Sequence, residues 1–360
     1  MEVGMTPKND LKKLPPQKEV ETLKILKQLN KSSRALAELK AYSELIPNKD
    51  ILISSLALQE AKASSEIENI ITTNDNLYKA MSMDESYIDP ATKEVLNYRT
   101  ALWRGVELVR DKGFISTNII IDIQETLEKN SGGIRKVPGT ALKNALTGET
   151  IYTPPTGEVL IRELLQNLEE YYNTETDIDP LVKLAVSHYL FEAIHPFYDG
   201  NGRTGRILNI LYLMKEELLD SPVLYLSSYI IKNKSEYYRL LGEVTSKENW
   251  EEWILYLLKA VEFTSKETLE LAKNIKALLD TTIDEVQEKL PKIYKKELIE
   301  FIFTETYTKG THLVDQGFAS RKTMTKYLRE LENIGVLRSE KLGKEVIYVN
   351  IHLYNLLKSS

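Results

Sequence analysis

Twelve residues, His195-Pro-Phe-Tyr-Asp-Gly-Asn-Gly-Arg-Thr-Gly-Arg206, gather chemically able side chains at close spacing. His195 follows the apolar run LVKLAVSHYLFEAI, and Pro196 forces the backbone out of that helix or into a kink. Asp199-Gly200-Asn201-Gly202 reads as a tight turn whose glycines let successive N–H groups converge on one point. Such a nest at a helix N-terminus is an anion site. Arg203 and Arg206, three residues apart, fall on one face of the first turn of the helix that follows. A free helix disfavours cations there, because the positive end of its dipole repels them. They make sense beneath an anion of several charges, and a polyphosphate satisfies the nest, the dipole and both guanidinium forks. Asp199 beside phosphates suits magnesium, which takes one or two carboxylates together with phosphate oxygens and water. His195 is then the side chain able to take a proton from an incoming hydroxyl.

Each piece alone has an ordinary reading. A histidine after an apolar helix is usually a packed core residue, an Asp-Gly-Asn-Gly turn is usually only a turn, and two arginines near a helix start are usually solvated. Their coincidence within twelve residues favours chemistry. His188 lies seven residues before His195 and could share its face as a metal pair, but no third ligand stands at a matching spacing. His188 therefore reads as structural.

The elements that must hold this loop are mostly helical. Leu23, Ile25, Leu26, Leu29, Leu36, Leu39 and Leu45 recur at three- and four-residue intervals until Pro47-Asn48 breaks the pattern. A second helix is expected over Asp50–Ile71, and others over Thr92–Lys112, Ser116–Glu128, Gly157–Tyr172, Pro180–Ile194 and Gly202–Leu218, with further helices to about Leu290. Between residues 131 and 155 the texture becomes rich in glycine and proline, and short β-compatible pieces flank Thr147-Gly148, which reads as a hairpin. After Pro291 come helices over Lys296–Thr304, Thr311–Gly317 and Ser320–Ile334, then two alternating strands around Leu342-Gly343-Lys344. Helix, helix, helix, hairpin is the order of a winged helix-turn-helix.

Bulk properties narrow the class. With 42% hydrophobic and 28% charged residues among 360, the chain reads as soluble, globular and of two or three domains. The absence of cysteine removes disulfides, thiolate zinc sites and cysteine nucleophiles, and fits a reducing cytoplasm. The first twenty residues lack the apolar core of a signal peptide, and no stretch approaches the roughly 20 apolar residues of a membrane span, so no membrane role is expected. The overall charge of −6 is uneven: residues 291–360 carry 12 Lys+Arg against 8 Asp+Glu, a net of +4, which leaves −10 for the rest.

The motif HPFYDGNGRTGR resembles the Fic-family signature, His-Pro-Phe-x-Asp-Gly-Asn-Gly-Arg-x-x-Arg, at every fixed position. The stretch from LPPQKEVETLKIL to SSEIENI is similar to the N-terminal region of bacterial Fic proteins, so the resemblance covers nearly the whole chain. It implies a mainly α fold: a helical Fic-type domain with a small β-hairpin flap, plus a C-terminal winged helix-turn-helix domain. The corresponding divisions are a mobile arm over 1–16, a helical region with an inhibitory helix over 17–112, the Fic catalytic domain over 113–290 and the winged helix over 291–360. The activity implied is protein AMPylation, the transfer of AMP from ATP to a hydroxyl of a target protein or of the chain itself. His195 is then the general base and Asp199 the holder of Mg2+. Gly200, Asn201 and Gly202 form the anion hole, Arg203 and Arg206 meet the β- and γ-phosphates, and Thr204 and Gly205 complete the nucleotide loop. The phosphate-transferring branch carries Lys where this chain has Gly202, which argues for nucleotidyl transfer. Ile151 and Tyr152 belong to the flap, on which a target segment pairs as an added strand. Tyr237 and Tyr238 match a pair that packs around adenine, with a core role competing evenly; the Asn that often follows is replaced by Thr245.

Ser64-Ser-Glu-Ile-Glu68-Asn69 resembles the family's inhibitory pattern, Ser/Thr-x-x-x-Glu-Gly/Asn. Ser64 and Glu68 share a helix face, and Glu68 is expected to pair bidentately with Arg206 in competition with the γ-phosphate. The same glutamate implies an ability to remove AMP from the target. A homodimer is a further implication of the family. On the third C-terminal helix, Arg321, Lys322, Thr325, Lys326 and Arg329 lie largely opposite Met324, Leu328 and Leu331, so this helix, with Lys341 and Lys344, could meet DNA. The competing readings are a nucleotide-sensing, DNA-binding transcriptional regulator and a transferase of a different group or nucleotide.

Overall fold

The computed structural model describes residues 6–359 apart from 45, 47, 82–87, 144–149, 343 and 344. The chain begins with α1 (Leu23–Glu44), which buries Ile25, Leu29, Leu36 and Leu39 as its sequence period requires. Asn48 caps α2 (Lys49–Ile67), its side chain accepting the Asp50 N–H. Residues from Ile51 to Ile67 are buried almost all round this helix, so it lies between other elements rather than on the surface. It ends four residues earlier than its composition predicts. Asn69 adopts the left-handed conformation at φ 64°, and the Ile70 N–H bonds back to the Ser65 carbonyl at 3.0 Å. That six-to-one closure stops the helix.

Then follow α3 (Asn74–Ala80), α4 (Pro90–Lys112), α5 (Thr117–Glu128) and the two-stranded hairpin β1 (Leu142–Lys143) and β2 (Thr150–Tyr152). The strands pair Leu142 with Tyr152 and Lys143 with Thr150; the predicted turn at Thr147-Gly148 lies outside the described residues. Next come α6 (Glu158–Asn173), α7 (Pro180–Ile194), α8 (Asn201–Lys215), α9 (Ser227–Lys232), α10 (Lys234–Lys247) and the 40-residue α11 (Trp250–Lys289). The central helices α7 and α8 are buried on nearly every side, and α1 lies along α11, where the Ser32 hydroxyl donates to the Leu258 carbonyl at 2.7 Å.

The last seventy residues form α12 (Lys296–Thr304), β3 (Tyr307–Lys309), α13 (Gly310–Asp315), α14 (Arg321–Asn333), β4 (Leu337–Leu342), β5 (Glu345–Asn350) and α15 (Ile351–Ser359). The sheet order is β3-β5-β4, antiparallel throughout. Three helices and the β4–β5 hairpin follow the expected order; β3 and α15 are additions. A three-residue strand is too short to show alternation, which is why Tyr307–Lys309 escaped the pattern. Lys344, expected to touch DNA, lies outside the described residues.

The N-terminal arm is a correction: among its described residues it is docked, not loose. Leu14 is 8% exposed and Leu11 packs on the core. The Leu14 backbone exchanges two hydrogen bonds with the Asn167 side chain, at 2.7 and 3.0 Å. The Lys8 N–H reaches the Thr153 carbonyl just beyond β2 at 3.0 Å. One buried and one half-buried leucine outweigh the proline-rich, polar composition that suggested mobility.

Candidate functional site

His195 sits at the C-cap of α7, where its own N–H still bonds to Phe191 at 3.0 Å. Its φ of 47° is left-handed, a conformation that costs a non-glycine residue roughly 1–2 kcal/mol. The chain then turns through Pro196–Asp199 into α8. Asn201 closes this turn on itself: its side chain accepts the Phe197 N–H and donates to the Phe197 carbonyl, both at 2.8 Å. The first intrahelical bond of α8 runs from Thr204 N–H to Gly200 O at 2.9 Å. The N–H groups of Asn201, Gly202 and Arg203 precede it and are the orphan donors of the helix start. The backbone N–H groups of this helix start are thus the part available to an anion, while the Asn201 side chain serves the loop.

A carboxylate lies beside this helix start. Glu68, capping α2, packs so closely on Gly202 that a β-carbon there would collide with its Oε1. It accepts a hydrogen bond from Arg206 Nη2 at 2.8 Å. The expected bidentate pair is corrected here: Glu68 takes one bond, and Ser64 takes two more, its hydroxyl accepting from Nε at 2.7 Å and its carbonyl sharing Nη2 at 2.8 Å. Arg206 is 2% exposed. Burial disfavours its charge, but Glu68 and Glu192 hold it firmly protonated. Burial likewise pushes the Glu68 carboxyl up, and the charge and hydrogen bond of Arg206 pull it below the usual range. Ser64, Glu68 and Arg206 thus form the cluster the sequence pattern predicted. Asn69 stands beside it as the helix terminator.

Arg203 is also buried and already paired, to Glu94 at 3.2 Å and to Glu128 at 2.8 Å. These two acids, absent from the sequence reading, answer the electrostatic objection to cations at a helix start. Asp199 is exposed, and one of its oxygens accepts the Gly200 N–H at 2.7 Å. Glu128 lies close enough for the Asp199 charge to help raise its pKa, after burial and against Arg203.

The His195 ring is pushed down to about 4, first by burial and then by the Arg135 charge, against the pull of Glu68, the Glu192 backbone and Asp199. It is a neutral imidazole at ordinary pH. Its Nδ1 is sealed without a full hydrogen bond, so Nε2 is the nitrogen left for an incoming group. Glu192, one turn back on α7, is half-buried with its Oε1 enclosed, and burial raises it to about 7.

Several expected contacts have other duties. Gly205 faces α7, where a β-carbon would strike Phe191 and Glu192, so it permits close packing of α7 on α8 rather than touching a ligand. Thr204 is 0% exposed, with its hydroxyl enclosed. Tyr237 is a core residue: it is 1% exposed, bonds to His188 Nε2 at 2.8 Å and lies 5.5 Å from the Trp253 ring. Tyr238 is 44% exposed and the one member of the pair open to a ligand. His188, which also meets Asn209 Nδ2 at 3.2 Å, is a buried structural residue as its spacing suggested. Thr245 bonds to the Tyr189 hydroxyl. On the hairpin, Ile151 is exposed, whereas the Tyr152 hydroxyl donates to the Ala193 carbonyl at 2.7 Å and anchors the flap.

Three consecutive stretches match family models. They are the Fic/DOC family N-terminal model over residues 26–107, the Fic/DOC family model over 114–213, and the C-terminal domain of SoFic-like protein adenylyltransferases over 278–353. The chain belongs to the Fic/DOC family. A relative from Aquifex aeolicus, described as a probable protein adenylyltransferase, is 31% identical over 172 residues, 46% of this chain and 50% of the relative. Protein adenylyltransferase fic-1 of Caenorhabditis elegans is 31% identical over 124 residues, 34% of this chain and 23% of its own. The chain thus spans half or less of these relatives' lengths. Among solved structures, a Fic family protein from Desulfovibrio desulfuricans matches with TM-score 0.61 at 19% identity, covering 94% of this chain and 98% of that one. A Fic-1 variant from C. elegans matches with TM-score 0.52 at 21% identity, covering 67% and 72%. At such identities the likeness shows the fold. Among the described residues, no helix is long and apolar enough to cross a membrane.

Proposed function

We propose that this protein transfers AMP from ATP to a hydroxyl of a protein, the chain itself included, and that Glu68 restrains the reaction. The observation that carries this reading is Glu68 over Gly202 and against Arg206, a carboxylate lodged at the helix start where a terminal phosphate would lie. With Glu68 withdrawn, the N–H groups of Asn201 to Arg203 and the freed Arg206 face an anion of several charges. Neutral His195 then accepts the proton of the acceptor hydroxyl through Nε2. The hydroxyl oxygen bonds to the α-phosphorus, and the bond from that phosphorus to the bridging oxygen breaks, releasing pyrophosphate. Preorganised donors aimed at the developing charge supply most of the stabilisation.

The donor set suits Mg2+: the exposed Asp199 carboxylate keeps lone pairs free beyond its bond to Gly200, and magnesium favours such an oxygen with phosphate and water. When bound, the ion offsets phosphate charge. Residues 113–290 serve as the catalytic unit, with the inhibitory helix supplied by residues 17–112. Residues 291–360 are a winged-helix module. On α14, Arg321, Lys322, Thr325, Lys326 and Arg329 are all exposed while Met324, Leu328 and Leu331 are buried, an arrangement that favours contact with nucleic-acid phosphates as a second activity.

The test is transfer from ATP labelled separately at the α- and γ-phosphates, using the Glu68→Gly variant. Protein-bound α label is the expected result. Protein-bound γ label would make the enzyme a kinase, and no label at all would leave a nucleotide-sensing regulator.

A further inference from the structure

Arg135 is 1% exposed, and among the described residues no carboxylate pairs with it. A buried cation without an acid is costly, so its partners carry the explanation. They are backbone carbonyls. Arg135 Nε donates to His195 O at 2.7 Å, and Nη2 donates to Ile194 O at 3.1 Å and to Pro155 O. The Arg135 N–H donates to Pro196 O at 2.9 Å.

With the Tyr152 hydroxyl on Ala193 O, four successive carbonyls, 193 to 196, are each satisfied by a donor from the segment between α5 and α6. Those of 193 to 195 are among the oxygens that a helix end leaves without partners, at the negative pole of its dipole, and Pro196 O follows directly in the loop. The same segment grips the far side of the loop, because the Tyr198 hydroxyl accepts the Lys136 N–H at 2.9 Å. Pro155 lies just beyond β2, so one guanidinium touches both the base of the hairpin and the backbone of the histidine.

We infer that Arg135 is a positioning residue: it fixes the left-handed backbone of His195 and the base of the β1–β2 hairpin in one frame, so that a hydroxyl presented on the hairpin arrives in register with the imidazole. This rests on the transfer reading above. It makes Arg135 matter to turnover rather than to nucleotide affinity, since it touches neither Gly202 nor Arg206. A misplacement of about 1 Å at a reacting centre costs on the order of a hundredfold.

The experiment compares Arg135→Gln and Arg135→Lys in the full-length Glu68→Gly protein. Expected for Gln is a fall in kcat of about ten- to a hundredfold, with ATP affinity within about threefold; Lys, which keeps the charge and a carbonyl contact, recovers most of the loss. Hydrogen exchange supplies an arm that does not depend on activity. In Arg135→Gln, peptides covering 150–156 and 193–199 exchange faster while those within α4 and α11 do not change. Equal turnover of Gln and parent, or a loss that Lys does not relieve, overturns the inference. So does exchange that is unchanged at both peptides or raised throughout the protein. If the Glu68→Gly parent itself transfers nothing, the transfer reading falls, and the exchange arm still decides whether Arg135 joins hairpin and loop.

Discussion

Glu68 and Gly202 define each other: the carboxylate rests where a β-carbon on residue 202 would be, and Arg206 holds it there at 2.8 Å. An acid at the positive end of a helix, with a buried guanidinium beside it, is the arrangement on which the proposed restraint by Glu68 rests.

Removing that acid should release transfer. Glu68→Gly is expected to raise AMP incorporation by about 5–150-fold, the span of a coupling of about 1–3 kcal/mol. Incorporation of α-labelled ATP into protein measures it, and parity with the wild type would mean that the contact restrains nothing.

Ser64 holds the other half of the Arg206 fork. A hydrogen bond to a charged group is worth about 1.5–3 kcal/mol, but the Ser64 carbonyl still holds Nη2 in Ser64→Ala. This variant should therefore be activated by a few-fold, clearly less than Glu68→Gly. An activation exceeding that of Glu68→Gly would make Ser64 the dominant restraint.

His195→Ala should lose roughly two to four decades in rate, the usual share of a general base, with nucleotide binding retained. Titration of ATP into the double variant with Glu68→Gly, beside its transfer rate, separates the two. Undiminished transfer would take the base away from His195. Because burial and Arg135 hold this ring at about 4, it is the neutral base throughout the neutral range. The rate should fall on acidification only as pH approaches 4, and a midpoint near 6.5 would contradict the enclosed geometry.

His188 gives a pH effect on stability. An unfolded histidine titrates near 6.5, and the folded one is pulled down to about 3, by burial first and the Arg206 charge second. Between those values the unfolded chain binds a proton that the fold refuses. Stability from this group is complete above about 6.5 and declines as pH falls, with a limiting slope of about 1.4 kcal/mol per pH unit. Denaturant titrations between pH 4 and 7 should show a shallower slope in His188→Gln than in the wild type.

The exposed cations of α14 predict binding that weakens steeply with salt. Reversing Lys322 and Lys326 should abolish retention of duplex DNA in a mobility assay at low salt. Equal retention by the variant would remove nucleic acid from that face.

The sequence made the loop from His195 to Arg206 legible because its residues do their work by local geometry: a proline after a helix, glycines in a turn, arginines one turn apart. Ser64 and Glu68 were legible only through the resemblance to the family's inhibitory pattern, since two polar residues one turn apart on a helix are by themselves an ordinary exposed face. Their partners were not, because Glu94, Glu128 and Arg135 meet the loop only through the tertiary fold and sit in unremarkable local contexts. Bidentate pairing was expected from the resemblance, whereas Ser64 competes for the same guanidinium. Tyr237 takes the core role that competed evenly with the ligand one, because neighbouring helix positions face different directions and Tyr238 is the one turned outward. The glycine at 205 looked like part of the nucleotide loop but serves the crowding of α7 on α8.

Helix α2 is clamped at both flanks. Arg206 grips it at Ser64 and Glu68, while the Gln59 amide donates to the Leu357 carbonyl of α15 at 2.8 Å and Glu60 accepts from Ser227 at 2.9 Å. A segment wedged in this way behaves as a keystone. Its two flanks are tied to different parts of the chain, so the seat of α15 and the Glu68–Arg206 contact share one helix.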